Sequence, residues 1–427
     1  MRILLSILIL TLAVGHLFSL DMGLGPGLSV KNAILYLAAI FITFRIVLSR
    51  DFKMEMGQFV GFYLALIVYA TITWIVVGLF INYKGYNMLA SGILLKSMLV
   101  DPLIFFLTFL FGIRTTEDAF KILMLLGLAC VVMNIANLGS AFHLLPLDYV
   151  GQGGRMAGPM GEPNQYGDYI VIFLPLLCVV AALSKGFVRL LWVVGIMVSV
   201  GSLLTTASRA AIVALIVSSI WGTYLARSYL SSRVIAKWFM IAVVIAILIG
   251  AVVSIEFADI LSERFIGQSK SAGLGDLSSG RTDLWMGVFD KLMSQPIAMI
   301  TGFGWNAFDN MGFFFSAHSY YMAQWFDLGI PGLILGITSF ALLIREARRV
   351  LPLALGASRS YLIAFIFSVL ALLVAVIFGE LTTPMPYFWI YAGVCMRVAI
   401  NSRIGADSAP RTSQPDRSPR GRLAQAR

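Results

Sequence analysis

The sequence predicts an all-α fold, a polytopic membrane bundle of about twelve transmembrane helices. Three observations carry that expectation. The 427 residues are 59% hydrophobic and 12% charged, with a mean hydropathy of +0.90, whereas a soluble domain is about a quarter charged. The apolar residues are gathered into runs long enough to cross hydrocarbon, which needs roughly 17–25 residues as helix. Lys and Arg alternate between rich and poor across successive loops, as membrane insertion requires.

In order, the apolar runs fall near 3–20, 30–48, 59–81, 93–113, 119–139, 165–183, 188–205, 209–226, 234–255, 322–344, 360–379 and 386–400. Each must be helical, because hydrocarbon offers no partner to a free backbone group. The first run follows Met1 and Arg2, and it is long and lacks a small-x-small cleavage site, so it reads as an anchor rather than a signal peptide.

With Met1 inside, the inner loops carry Arg50 and Lys53, Arg114 and Lys121, Lys185 and Arg189, Arg227, Arg233 and Lys237, then Arg345, Arg348, Arg349 and Arg359. Outer positions hold single cations, at Lys31, Lys84, Arg155 and Arg209. An even number of spans then puts both termini in the cytoplasm. The exception is a long outer loop, about 256–319, with Arg264, Lys270, Arg281 and Lys291; long loops escape the charge rule. The Pro-, Ser- and Arg-rich segment 401–427 reads as a disordered basic tail on the anionic inner leaflet.

The net charge of +10 therefore follows from topology and does not indicate nucleic acid as a partner. Cys130, Cys178 and Cys395 lie far apart inside apolar runs, the places of small buried hydrophobes, with neither a disulfide framework nor metal spacing. The outer loops hold no paired acidic motif and no His/Cys cluster for a metal. No cofactor is expected.

The outer loop divides into readable pieces. From Glu256 to Phe265, apolar residues recur at helical spacing, continuing the ninth run as an amphipathic turn. A Gly/Ser stretch occupies Gly267 to Gly280. From Arg281 to Ser294, residues Leu284, Trp285, Val288, Phe289, Leu292 and Met293 form one stripe opposite Asp283, Asp290 and Lys291. That is an amphipathic helix, started by Ser278 or Ser279 and stopped before Pro296. A glycine- and aromatic-rich stretch follows, from Thr301 through Phe313 to Phe315, and ends at His318, where the chain re-enters the membrane. Gln324 and Asp327 then open the tenth run, ahead of Gly329 and Pro331.

Each feature has an ordinary reading. A lone His318 is more often an interfacial histidine bonded to a carbonyl, and His16 and His143 take that reading. Arg281 at a helix start can simply face water, and Phe313 to Phe315 can be an interfacial belt. Two further outer segments raise the functional alternative. Arg155 lies in a glycine-rich stretch, Gly151 to Gly167, that includes Glu162 and Asn164, and Arg209 lies in a tight turn between two spans. An arginine at so short a turn either snorkels or meets an anion. Guanidinium grips phosphate bidentately and keeps its proton, and histidine titrates near neutrality and can act as a general base. Three outward arginines and one histidine suit a phosphate-bearing lipid.

These segments resemble the O-antigen ligase and O-antigen polymerase superfamily of bacterial cell-envelope glycosyltransferases. The pieces that carry the resemblance are Arg155 with Gly158 and Gly161 to Asn164, the turn Thr206 to Ala211 around Arg209, and Ser279 to Trp285 around Arg281. They continue through Gly302 to Gly304, Ala317-His318, and Asp327 to Gly332. The order is that of the family. Departures occur at Glu162, Ser319 and Asp327, where the family has Asn, Asn and Glu.

The resemblance implies a GT-C-like helical fold and a metal-independent transfer, in the periplasm, of a glycan from undecaprenyl pyrophosphate to the hydroxyl of an acceptor glycan or lipid A core. It implies that Arg155, Arg209 and Arg281 hold the pyrophosphate, that His318 takes the acceptor proton, and that Glu162, Asn164 and Asp327 support them. It implies a multi-pass protein of the bacterial inner membrane. The chain then divides into N-terminal helices (1–150), a ligase-like core (151–400) and the tail (401–427). The alternative is a transporter or flippase of a polysaccharide precursor, with Lys96, Asp101 and Asp168 as intramembrane ionisable candidates.

Overall fold

Buried backbone groups must pair with one another, and here they do so almost entirely within helices. The computed structural model describes residues 1–20, 23–25, 27–49, 56–81, 83–229, 231, 250, 253, 257–262, 281–308, 311 and 317–408. The helices of the first half are α1 (Arg2–Leu17), α2 (Val30–Ser49), α3 (Gly57–Val76), α4 (Met88–Leu95), α5 (Asp101–Gly112), α6 (Thr116–Ala141), α7 (Pro163–Leu183), α8 (Gly186–Thr205) and α9 (Arg209–Ala226). The second half contributes α10 (Arg281–Met293), α11 (Pro296–Thr301), α12 (Tyr320–Val350), α13 (Gly356–Phe378) and α14 (Met385–Ser408). A small antiparallel hairpin, β1 (Gly23–Gly25) with β2 (Leu28–Ser29), sits between α1 and α2.

Among the described residues, nine helical segments are long and apolar enough to cross a membrane. The protein is a multi-pass, all-α membrane bundle. Two of the expected spans, 3–20 and 386–400, are helices that are not among the nine. At 16 residues, α1 is shorter than the roughly 20 that a full crossing takes. α14 is enclosed by protein: Tyr387 to Ala392, Val394 to Met396 and Val398 to Ile400 are all buried, against α5, α6, α12 and α13. Enclosed in this way, α14 tolerates Arg397, whose Nε donates to the Leu110 carbonyl at 2.6 Å. Gly393 lets the backbones meet, since a Cβ there would lie 2.5 Å from the Phe106 oxygen. Trp389 is edge-on to Tyr63 and Phe106 and stacked on Phe340. The expected span at 234–255 apart from 250 and 253, the Gly/Ser stretch 267–280, Phe313 to Phe315 and the tail beyond 408 lie outside the described residues.

Two helices are wound irregularly. A π-helical turn, Val77–Ile81, extends α3, and another, Lys96–Val100, joins α4 to α5. α12 is broken at Gly329 (φ 62, ψ −162), so its first three turns, down to Leu328, are offset from the spanning segment that follows. Gly302 and Gly329 are pressed together. A Cβ on Gly329 would meet the Ile300 oxygen at 2.1 Å, and one on Gly302 would meet the Asp327 oxygen at 2.3 Å.

The starts of α7, α9, α10 and α12 gather with the ends of α6, α8 and α13 on one face. Met156 N donates to the Thr205 carbonyl at 3.1 Å and Tyr320 N to that of Gly379 at 3.2 Å. The Gln165 Oε1 accepts from Thr382 N, Thr382 Oγ1 and Thr383 N at 3.0–3.2 Å, tying α7 to the α13–α14 connection.

Candidate functional site

The site starts from the turn that holds Arg155. After α6 the chain pairs Val150 with Met156 in an isolated bridge, and Gly151 N donates to the Arg155 carbonyl at 2.7 Å. Gly153 and Gly154 have φ of 65° and 72°, which only glycine adopts without strain. The Arg155 side chain, 7% exposed, donates from Nε to the Thr206 carbonyl at 2.8 Å and from a terminal nitrogen to Asn164 Oδ1 at 2.8 Å.

Asn164 then hands the network on. Its Nδ2 donates to Glu162 Oε1 at 2.7 Å, and Glu162 Oε2 caps α7 by accepting from Gln165 N at 2.7 Å. Ser208 Oγ donates to Asn164 Oδ1 at 3.2 Å and accepts from Ala211 N at 3.3 Å, capping α9. Two helix N-termini, each with a partial positive charge, therefore meet at Arg155 and Asn164. Arg209 is the first residue of α9 and half-buried. Backbone N–H groups, a dipole and guanidinium groups at one place suit an anion.

The second half of the site comes from the outer loop. Arg281 opens α10, the amphipathic helix expected there. Val288 and Leu292 are fully buried, and Trp285 Nε1 donates to the Ala317 carbonyl at 3.0 Å. Phe289 and Met293, from the same predicted stripe, stay about half exposed. His318 follows Ala317 directly and takes φ +45, an uncommon conformation for a residue with a Cβ. The residue is exposed. Partial burial and then the Arg281 guanidinium lower its pKa from 6.5, against an opposing pull from Glu162. His318, Arg281 and Glu162 thus share one electrostatic neighbourhood, although they come from α12's start, α10 and the α7 cap.

Asp327 does other work. Its Oδ2 accepts from Asn306 N at 2.9 Å and its Oδ1 from Phe308 N at 3.0 Å, while Gly304 N donates to its carbonyl at 2.7 Å. These bonds hold the 302–308 loop against α12. Phe326 supports the same loop by stacking on Phe303 and meeting Phe308 edge-on.

Asp168 belongs to the neighbourhood, though the sequence suggested it only as a transporter residue. It is 1% exposed, lies within electrostatic reach of Glu162 and Arg281, and its Oδ1 has no hydrogen-bond partner. Its signal in the sequence is an acid inside an apolar run, one helical turn after Asn164. Lys96 and Asp101 are instead bonded to each other at 2.9 Å, and Tyr36 and the Gly27 carbonyl complete that group. Among the described residues, no group of three or more His, Cys, Asp or Glu side chains could hold a metal ion.

Residues 192–337 match the family model described as O-antigen ligase. Arg209, Arg281, His318 and Asp327 lie inside the matched region; Arg155, Glu162 and Asn164 precede it and reach it through the Thr206 and Ser208 hydrogen bonds. Over those residues the chain is similar to the O-antigen ligase family, which agrees with the resemblance read from the sequence. No curated protein matches the chain.

Proposed function

We propose that the protein transfers a glycan from undecaprenyl pyrophosphate to an acceptor hydroxyl, on another glycan or on a lipid A core, at the periplasmic face of the bacterial inner membrane. In this reading residues 151–400 form the catalytic core and both termini are cytoplasmic. The observation that carries the proposal is the pairing of two sets of groups: His318 and Arg281 lie within electrostatic reach of Glu162, which is hydrogen-bonded through Asn164 to Arg155.

The pairing suits both halves of the reaction. A base must be neutral to accept a proton, and burial with the Arg281 charge favours the neutral imidazole. As the acceptor oxygen bonds to the anomeric carbon, its proton passes to His318. The bond from that carbon to the pyrophosphate oxygen breaks, and its electron pair leaves with the pyrophosphate. The charge gathering on that oxygen is what Arg155, Arg209 and Arg281, with the N-termini of α7 and α9, are suited to stabilise. Glu162 and Asn164 orient Arg155, and Asp327 acts through the 302–308 loop. No step here draws on a metal or a cofactor.

The transporter reading is less well supported. Lys96 and Asp101 neutralise each other with hydrogen bonds satisfied, which is how a structural pair behaves, and Asp168 lies within electrostatic reach of Glu162 and Arg281.

The test is transfer by the purified chain in nanodiscs, given undecaprenyl-pyrophosphate-linked glycan and a saccharide acceptor. His318→Ala should abolish product while leaving the protein folded; transfer at the wild-type rate by this variant would overturn the assignment. In a deletion strain, single repeat units left on the carrier indicate a polymerase, and long chains left on it indicate a ligase.

A further inference from the structure

α12 begins next to His318 and runs away from the site for 31 residues. Its far end carries Arg345, Arg348 and Arg349, three exposed arginines at i, i+3 and i+4, so that they share one helical face. With Ala341 and Ile344, on the same helix and nearer the membrane interior, they form a shallow, open patch. Among the described residues, the acid beside them on α12 is occupied elsewhere: Glu346 pairs with Arg403 of α14 at 3.2 Å. Among the described residues, Arg345 reaches the neutral Gln58 at the start of α3, at 3.4 Å.

Like charges at these spacings repel and weaken the helix that bears them. An anion across the three guanidinium groups would remove that repulsion. Guanidinium forks match the oxygens of a phosphate. The floor of Ala341 and Ile344 is apolar and lies on the membrane side of the cations, where a free phosphate gains nothing and an acyl chain does. Basic pockets beside transmembrane helices hold anionic headgroups in this way.

We infer that this patch binds the phosphate of an anionic phospholipid in the leaflet at the end of α12 remote from His318. The bound lipid clamps the end of the helix whose other end presents His318. The inference stands on α12, α3 and α14 and does not depend on the transferase reading.

The experiment uses the full chain in nanodiscs containing spin-labelled phosphatidylglycerol or spin-labelled phosphatidylcholine. The motionally restricted fraction of each label is read by electron paramagnetic resonance. The wild type should restrict phosphatidylglycerol preferentially. The triple variant Arg345→Lys, Arg348→Lys, Arg349→Lys keeps the charge but not the fork, and should lose that preference. The same three changes at Arg417, Arg420 and Arg422 should leave it intact. If the first triple variant does not fold, Arg348→Lys alone is compared, with a partial loss expected.

Undiminished preference in the Lys variants would mean a charged surface rather than a site, and would overturn the inference. So would release of the label by inorganic phosphate at matched ionic strength, since the ligand would then be phosphate and not lipid.

Discussion

Arg155 and Asn164 meet at 2.8 Å across the start of α7, and that contact joins two helix N-termini. Asn164 bonds the α7 cap through Glu162 and the α9 cap through Ser208, while Arg155 also bonds the α8–α9 turn through Thr206. The arginine is therefore architecture as well as charge.

Arg155→Lys should lower both stability and transfer. An ammonium keeps the charge but cannot reach the Thr206 carbonyl and Asn164 Oδ1 in the fixed directions of a planar fork. Losing one charged hydrogen bond in a buried place costs about 1.5–3 kcal/mol, so the thermal midpoint in detergent should fall and less product should form. Unchanged values of both would mean that the observed bonds contribute nothing.

The pH dependence of transfer should follow the neighbours of His318. As a general base it works when neutral, so activity is present above its pKa and is lost as pH falls through it. Burial and Arg281 set that pKa below 6.5, and the acid limb of kcat/KM should inflect below 6.5 as well. Arg281→Gln removes a lowering influence and should move the limb up in pH. Glu162→Gln removes a raising one and should move it down. A limb that stays in place in both variants would show that another group titrates.

Hydropathy made the bundle legible, because a span must be long, apolar and helical whatever surrounds it. It could not distinguish α14, which is enclosed by protein, from helices that face lipid. The Gly329 break was equally hidden, since glycine and proline are tolerated within membrane helices. For the site, residue chemistry pointed to Arg155, Arg209, Arg281 and His318. It could not give Asp327 its place, because a carboxylate that holds a loop and one that holds a ligand look alike in sequence. Asp168 and Lys96 were likewise alike as intramembrane charges. Only the fold separates the residue with a partner, Lys96, from the one with an unbonded oxygen.

The Gly302–Gly329 contact should be intolerant of any side chain. Gly329→Ala places a Cβ against the Ile300 carbonyl at a φ of 62°, and a non-glycine residue in so sparsely populated a region costs about 1–3 kcal/mol before the clash is added. The 302–308 loop should then detach from Asp327 and become open to limited proteolysis. A digestion pattern identical to the wild type would mean that the backbones separate at little cost.

Asp168 and Arg281 should be coupled. A buried carboxylate with one unbonded oxygen is unfavourable unless a cation lies close, and Arg281 is the cation within its reach. We predict that Asp168 is a positioning residue that seats Arg281 for the leaving pyrophosphate. Asp168→Asn keeps the shape and removes the carboxyl group, so it should raise the KM for the lipid-linked donor more than it lowers kcat. A double-mutant cycle with Arg281→Gln should give a coupling in transition-state free energy of about 0.5–3 kcal/mol, the range for groups in one network. A structural role alone would lower thermal stability and leave the two substitutions additive in kcat/KM. Additivity together with an unchanged donor KM would therefore sink the pairing while leaving His318 and the three arginines to be judged on their own tests.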